Sequence, residues 1–132
     1  MNTTISTPWG SSQSIRTIAP GIRFVSTASH GGYCLEDWRL KEMPAILRCA
    51  NSYSGACSEW FEEDVEWALV CLSFPELFDA RECFYAVKTI AAYGGTENAG
   101  KYMFSAAWWL ASKAGDQVRA KAARFTPETI AA

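Results

Sequence analysis

Residues 18–35 read Ile18-Ala-Pro-Gly-Ile-Arg-Phe-Val-Ser-Thr-Ala-Ser-His-Gly-Gly-Tyr-Cys-Leu35, and their reading decides the fold class. Pro20-Gly21 is a turn signal, and after it Ile22, Phe24 and Ser26 alternate with Arg23 and Val25 in a β-branched and aromatic run. Gly31-Gly32 supplies positive φ at low cost, and Tyr33-Cys34-Leu35 resumes an extended course. Two short strands therefore flank a turn that carries His30, the only histidine in the chain. A lone hairpin is marginal in water, so these strands need helices packed on them.

The rest of the chain supplies helical patterns. Glu36 and Asp37 open a short helix with acids at its positive end, and Met43-Pro44 breaks it or starts a new turn. Asn51 to Ala56 is a Ser/Gly loop. Ser58 to Phe74 reads as an amphipathic helix capped by Ser58, with Phe61, Val65, Ala68, Leu69 and Leu72 on one stripe. Phe74-Pro75 marks a boundary. A second helix follows with Leu77, Ala80, Phe84, Val87, Ile90 and Ala91 inward, stopping at Tyr93-Gly94-Gly95. Thr96 caps a third, running to about Ala114 with Met103, Ala106, Trp109 and Leu110 inward, and Asp116 caps a shorter basic turn to Arg124. Thr126-Pro127-Glu128 starts a frayed terminal turn. Residues 1–17, rich in Ser and Thr, read as a loosely held arm anchored by Trp9, and residues 18–132 as a single α+β domain. The expected architecture is a short N-terminal β-hairpin packed on a mainly helical body of three to four helices.

A chain of 132 residues buries enough surface to fold as one domain without a metal or disulfide staple. An apolar share of 49% with 20% charged residues excludes a disordered chain. The start lacks a basic n-region and an apolar h-region, and no stretch of about 18 apolar residues occurs, which predicts a cytoplasmic protein that is neither exported nor membrane-spanning. Cys34, Cys49, Cys57, Cys71 and Cys83 form no CxxC pair and read as reduced core thiols. One histidine is too few for most zinc arrangements, so neither a metal nor a cofactor is expected. The formal charge of −2 conceals a polarity: residues 59–82 carry eight acidic groups against one basic, with basic excess on both sides. An acidic chain without a basic stripe disfavours direct nucleic-acid binding.

Two clusters could carry function. His30 is the residue type suited to general acid–base work, with Ser26, Thr27 and Ser29 nearby as hydroxyls; its structural alternative is a turn residue bonded to a neighbouring carbonyl or carboxylate. The glycine pair lacks the lysine of a phosphate loop. Glu62, Glu63 and Asp64 could supply paired carboxylates. On a helix, however, Glu59 with Glu63 and Glu62 with Glu66 share faces, which suits a solvated or docking surface. Trp60 and Trp67 flank these acids and either pack inward or anchor a partner. The leading expectation is a partner-binding surface of Glu59, Trp60, Glu62, Glu63, Glu66 and Trp67 on a monomer or weak homodimer. The alternative is a small hydrolase or transferase using His30 with Glu63 and Asp64, which requires a carboxylate of this segment to meet His30 in space.

Four stretches carry a resemblance: Thr7-Pro-Trp-Gly-Ser-Ser-Gln-Ser14, Ile18-Ala-Pro-Gly-Ile22, Ser26-Thr-Ala-Ser-His-Gly-Gly32, and Trp60-Phe-Glu-Glu-Asp-Val-Glu-Trp-Ala68 with Phe74-Pro-Glu76. Over about residues 6–80 the chain resembles an uncharacterised small domain of phage, plasmid and other mobile-element proteins of proteobacteria. The resemblance implies a protein acting inside a bacterial host. By analogy with other small acidic proteins of such elements, it implies binding and inhibition of a host protein or ribonucleoprotein defence complex, as anti-CRISPR proteins do.

Overall fold

The computed structural model describes residues 4–50, 58–94 and 100–127. The chain begins with a two-stranded ribbon, β1 (Ser6–Thr7) and β2 (Gly10–Ser11), turned at Gly10 with φ +116°. It leads into a four-stranded antiparallel sheet of β3 (Ser14–Ala19), β4 (Ile22–Ser26), β5 (Gly31–Leu35) and β6 (Trp60–Glu62), in that spatial order. The expected hairpin is thus the centre of a larger sheet whose first strand starts inside the stretch read as an arm.

Pro20-Gly21 closes the β3–β4 turn, with Gly21 at φ +78°. Gly31 and Gly32 behave otherwise than expected: both lie within β5, neither at positive φ. The turn is made instead by residues 27–30 and held by Thr27. Its hydroxyl donates to the His30 carbonyl at 2.9 Å and accepts from the His30 N–H at 3.1 Å.

Side chains alternate across the pleat, so register assigns each residue a face. Phe24, Tyr33 and Phe61 align in one row across three strands, and with Ile22 and Leu35 they meet the helical core. Val25, Gly32 and Glu62 align in the next row and look the other way. There the N-terminal ribbon covers the sheet, with the Trp9 ring lying against Gly32, and Val25 is fully buried.

The helices are α1 (Asp37–Leu40), α2 (Ala45–Arg48), α3 (Trp67–Ser73), α4 (Ala80–Gly94), α5 (Gly100–Ala111) and α6 (Asp116–Ala122), with 3-10 turns at Pro75–Leu77 and Lys113–Gly115. Ala68 to Leu72 of α3 are all buried, so this short helix is the central strut of the core. A capping box starts α4: Asp79 Oδ1 accepts from Glu82 N–H at 2.7 Å, and Glu82 Oε1 accepts from Asp79 N–H at 3.1 Å.

The largest departure from expectation is the segment Ser58 to Phe74. Only residues 67–73 are helical; 60–62 form the edge strand β6 and 63–66 a turn. Repulsion between acids four apart weakens a helix here by a few tenths of a kcal/mol per pair. The open edge of β5, by contrast, pairs with the backbone of 60–62 and buries Phe61 completely. Burying such a ring is worth roughly 1.5–3 kcal/mol, which outweighs the helical preference. The third helix ends at Ala111 rather than Ala114, and Asp116 is the first residue of α6 rather than its cap. Cys34, Cys71 and Cys83 are buried free thiols, whereas Cys49 is exposed. The expected loop at 51–56, Cys57, the cap Thr96 and residues from Glu128 lie outside the described residues. No helix among the described residues is long and apolar enough to cross a membrane.

Candidate functional site

Gly32 explains how a site forms on the ribbon-covered face. A Cβ there would stand 2.5 Å from the Trp9 ring and also meet the Phe61 carbonyl, so the glycine leaves room for Trp9 to lie on the sheet. Trp9 then meets Trp60 edge-on, with centroids 5.6 Å apart and planes at 83°. Beyond Trp9 the face opens into a cleft of about 250 Å³ lined by Trp9, His30, Glu62 and Asp64. The Thr27 turn delivers His30 from the start of β5, while β6 and its following turn deliver the two carboxylates on alternate residues of one face.

The three polar groups converge. His30 Nδ1 lies 3.6 Å from Glu62 Oε1, too long for a direct hydrogen bond, and one ligating atom from each of His30, Glu62 and Asp64 falls within 4.8 Å of the others. His30 is 48% exposed and Glu62 only 16%. Glu62 Oε1 is shielded from solvent and accepts no hydrogen bond. Burial pushes the Glu62 carboxyl above its usual range and the charge of Asp64 pushes the same way, as does Glu66, while a backbone hydrogen bond from Asp64 pulls against them. Among the described residues the cleft lining includes no lysine or arginine. Such a group can relay a proton between an imidazole and a carboxyl pair, and His30, Glu62 and Asp64 are the residues that could hold a divalent cation.

The structure brings His30 to Glu62 and Asp64, but not to Glu63. That residue follows β6 with its N–H on the Gly31 carbonyl at 2.9 Å, and its carboxylate lies over Gly31 on the opposite face, toward Phe24. Of the residues expected to form one partner surface, Glu59 and Glu63 are exposed, Trp60 and Trp67 half-buried and Glu66 buried. They occupy a bend, a strand, a turn and the first turn of a helix, so they share no helical face. Trp9 is the site residue that sequence reasoning placed only as an anchor; its signal was the glycine at position 32, a small residue opposite a large one.

No curated protein and no solved structure matches the chain. The family DUF7007, a domain of unknown function, matches residues 2–124 and so includes every residue of the cleft. The chain belongs to this DUF7007 family.

Proposed function

We propose that the His30–Glu62–Asp64 cleft is a catalytic acid–base site that hydrolyses or transfers a neutral acyl or glycosyl group. One observation carries the reading: a half-exposed imidazole stands 3.6 Å from a shielded carboxyl whose proton affinity is raised. His30 takes a proton from an attacking water or hydroxyl, and Glu62, in its protonated form, gives one to the leaving oxygen. Asp64, whose charge helps to raise the Glu62 carboxyl, faces the same cleft. Among the described residues no lysine or arginine lines the cleft, which disfavours phosphate esters, and the Trp9 ring offers an apolar platform for a neutral group.

The test is turnover of chromogenic acyl esters and glycosides, with phosphate esters as the contrast. Hydrolysis is expected to fall at least about a hundredfold in His30→Ala and Glu62→Gln while both variants stay folded, and to persist in the presence of a chelator. Equal rates in wild type and both variants overturn the reading. Loss of activity with chelator alone reassigns the three groups as ligands of a metal.

A second reading, inhibition of a host defence complex by a mobile-element protein inside the bacterial cell, draws on a different observation. Phe104 and Trp108, four residues apart on α5, are 65% and 64% exposed, the area a partner-binding anchor requires. Capture of a defence complex by wild type but not by Phe104→Ala/Trp108→Ala supports it; capture that is unchanged in the double variant refutes it.

A further inference from the structure

The sheet's other face carries a second cleft, of about 320 Å³, where β4 and β5 meet α3 and α4. Four of its walls are aromatic: Phe24, Tyr33, Trp67 and Tyr85. Its charged groups are the carboxylates Glu63 and Glu82 and the guanidinium of Arg81. The size is that of a small-molecule site.

The rings already attract cations from this chain. Arg81 stands 5.9 Å from the centroid of Tyr85, and Arg16 stands 5.8 Å from that of Phe24. Burial, aided by the neighbouring Glu82 charge, pushes the Tyr33 phenol up to about 12. It therefore stays neutral and adds no countercharge to the two carboxylates. A primary ammonium entering here must give up its hydration and find acceptors for three N–H groups, while Glu82 Oε1 already accepts from the Asp79 N–H. A trimethylammonium group has no N–H to satisfy and offers methyl groups to the ring faces. The volume leaves room for such a head and a short tail.

We infer that this cleft binds a trimethylammonium head group, seated against Phe24, Trp67 and Tyr85 with its charge balanced by Glu63 and Glu82. The inference stands apart from the chemistry proposed for the His30 cleft, because the two sites share no residue. Glu63 thereby acquires a role that the catalytic grouping with His30 does not give it.

The experiment is a two-dimensional NMR titration of the full chain with choline, with its uncharged carbon isostere 3,3-dimethyl-1-butanol, and with a short peptide bearing trimethyl-lysine. Saturable shifts at the Trp67 indole and around Tyr85 are expected with the cationic probes, and binding of the neutral isostere is expected to be weaker by about fivefold or more. Tighter binding of choline names a free small molecule as the source, and tighter binding of the peptide names a modified protein tail. Glu63→Gln and Tyr85→Ala, both at exposed positions, should each weaken binding about fivefold. Arg81→Ala should strengthen it, because it removes the guanidinium that competes for Tyr85. No saturation with either cationic probe, an equal response to the isostere, or weakening in Arg81→Ala overturns the inference.

Discussion

Gly32→Ala tests the packing that creates the His30 cleft. The added Cβ meets three groups: the Phe61 carbonyl, the Trp9 ring at 2.5 Å and the Glu62 Cα at 3.0 Å. Two of these are backbone of the neighbouring strand and move only by loosening the β5–β6 ladder, while Trp9 moves only by leaving Trp60. Overpacking of this kind costs typically 1–3 kcal/mol, and the smaller entropy of an unfolded chain with alanine returns about 0.4–1 kcal/mol. A net loss of about 1.3 kcal/mol is expected. With an unfolding entropy of about 2.1 cal/mol/K per residue, a chain of 132 residues loses about 5 °C of Tm. The assay is thermal unfolding followed by circular dichroism, with Trp9→Ala and the double variant completing a cycle. Trp9→Ala should relieve about half of the Gly32→Ala penalty, because the contacts with the β6 backbone persist. A Gly32→Ala protein within about 2 °C of wild type refutes the argument that this glycine is required by close approach.

Three further outcomes follow from the same geometry. Because the folded state holds the Glu62 proton more tightly than the unfolded chain, wild-type stability should fall as pH rises from the ordinary 4.5 through the raised value. Glu62→Gln should flatten that slope in urea titrations across the range, and an identical slope contradicts the burial argument. Thr27→Val removes the two hydrogen bonds that the Thr27 hydroxyl makes to the His30 backbone, leaving the Thr27 N–H on the His30 carbonyl, and should cost about 1–2 kcal/mol, read as a lower urea midpoint with the His30 ring signals displaced. Leu69→Ala, at a fully buried position of α3, should cost about 2–5 kcal/mol, whereas Glu59→Lys, at an exposed position, should change stability by no more than about 0.5 kcal/mol in the same assay.

The α+β class was legible because Ile22 to Val25 alternates and Pro20-Gly21 needs a turn, both local signals. The start of α4 was equally local: Phe74-Pro75 ends one element and the next begins within a few residues. The segment from Ser58 was not legible, because Phe61, Val65, Ala68 and Leu72 satisfy a helical period while 60–62 alone satisfy a strand period. What decides between them is the unpaired edge of β5, some thirty residues earlier in the chain, and no window of sequence contains both. The candidate site inherits that ambiguity. His30 was legible as a lone titratable group on a constrained turn, but its partner depended on the register of β6.

That register also settles why two adjacent carboxylates do different things. On a helix Glu62 and Glu63 would point about 100° apart and share one broad acidic face. On a strand edge they point to opposite faces, so Glu62 joins His30 and Asp64 under Trp9 while Glu63 joins the aromatic cleft beside Phe24. A slip of one residue between β5 and β6 would exchange them and turn the Phe61 ring out of the core, at a cost of roughly 1.5–3 kcal/mol. Phe61 is therefore the residue that keeps each carboxylate in its own cleft. Both clefts trace back to the burial of one ring on an edge strand.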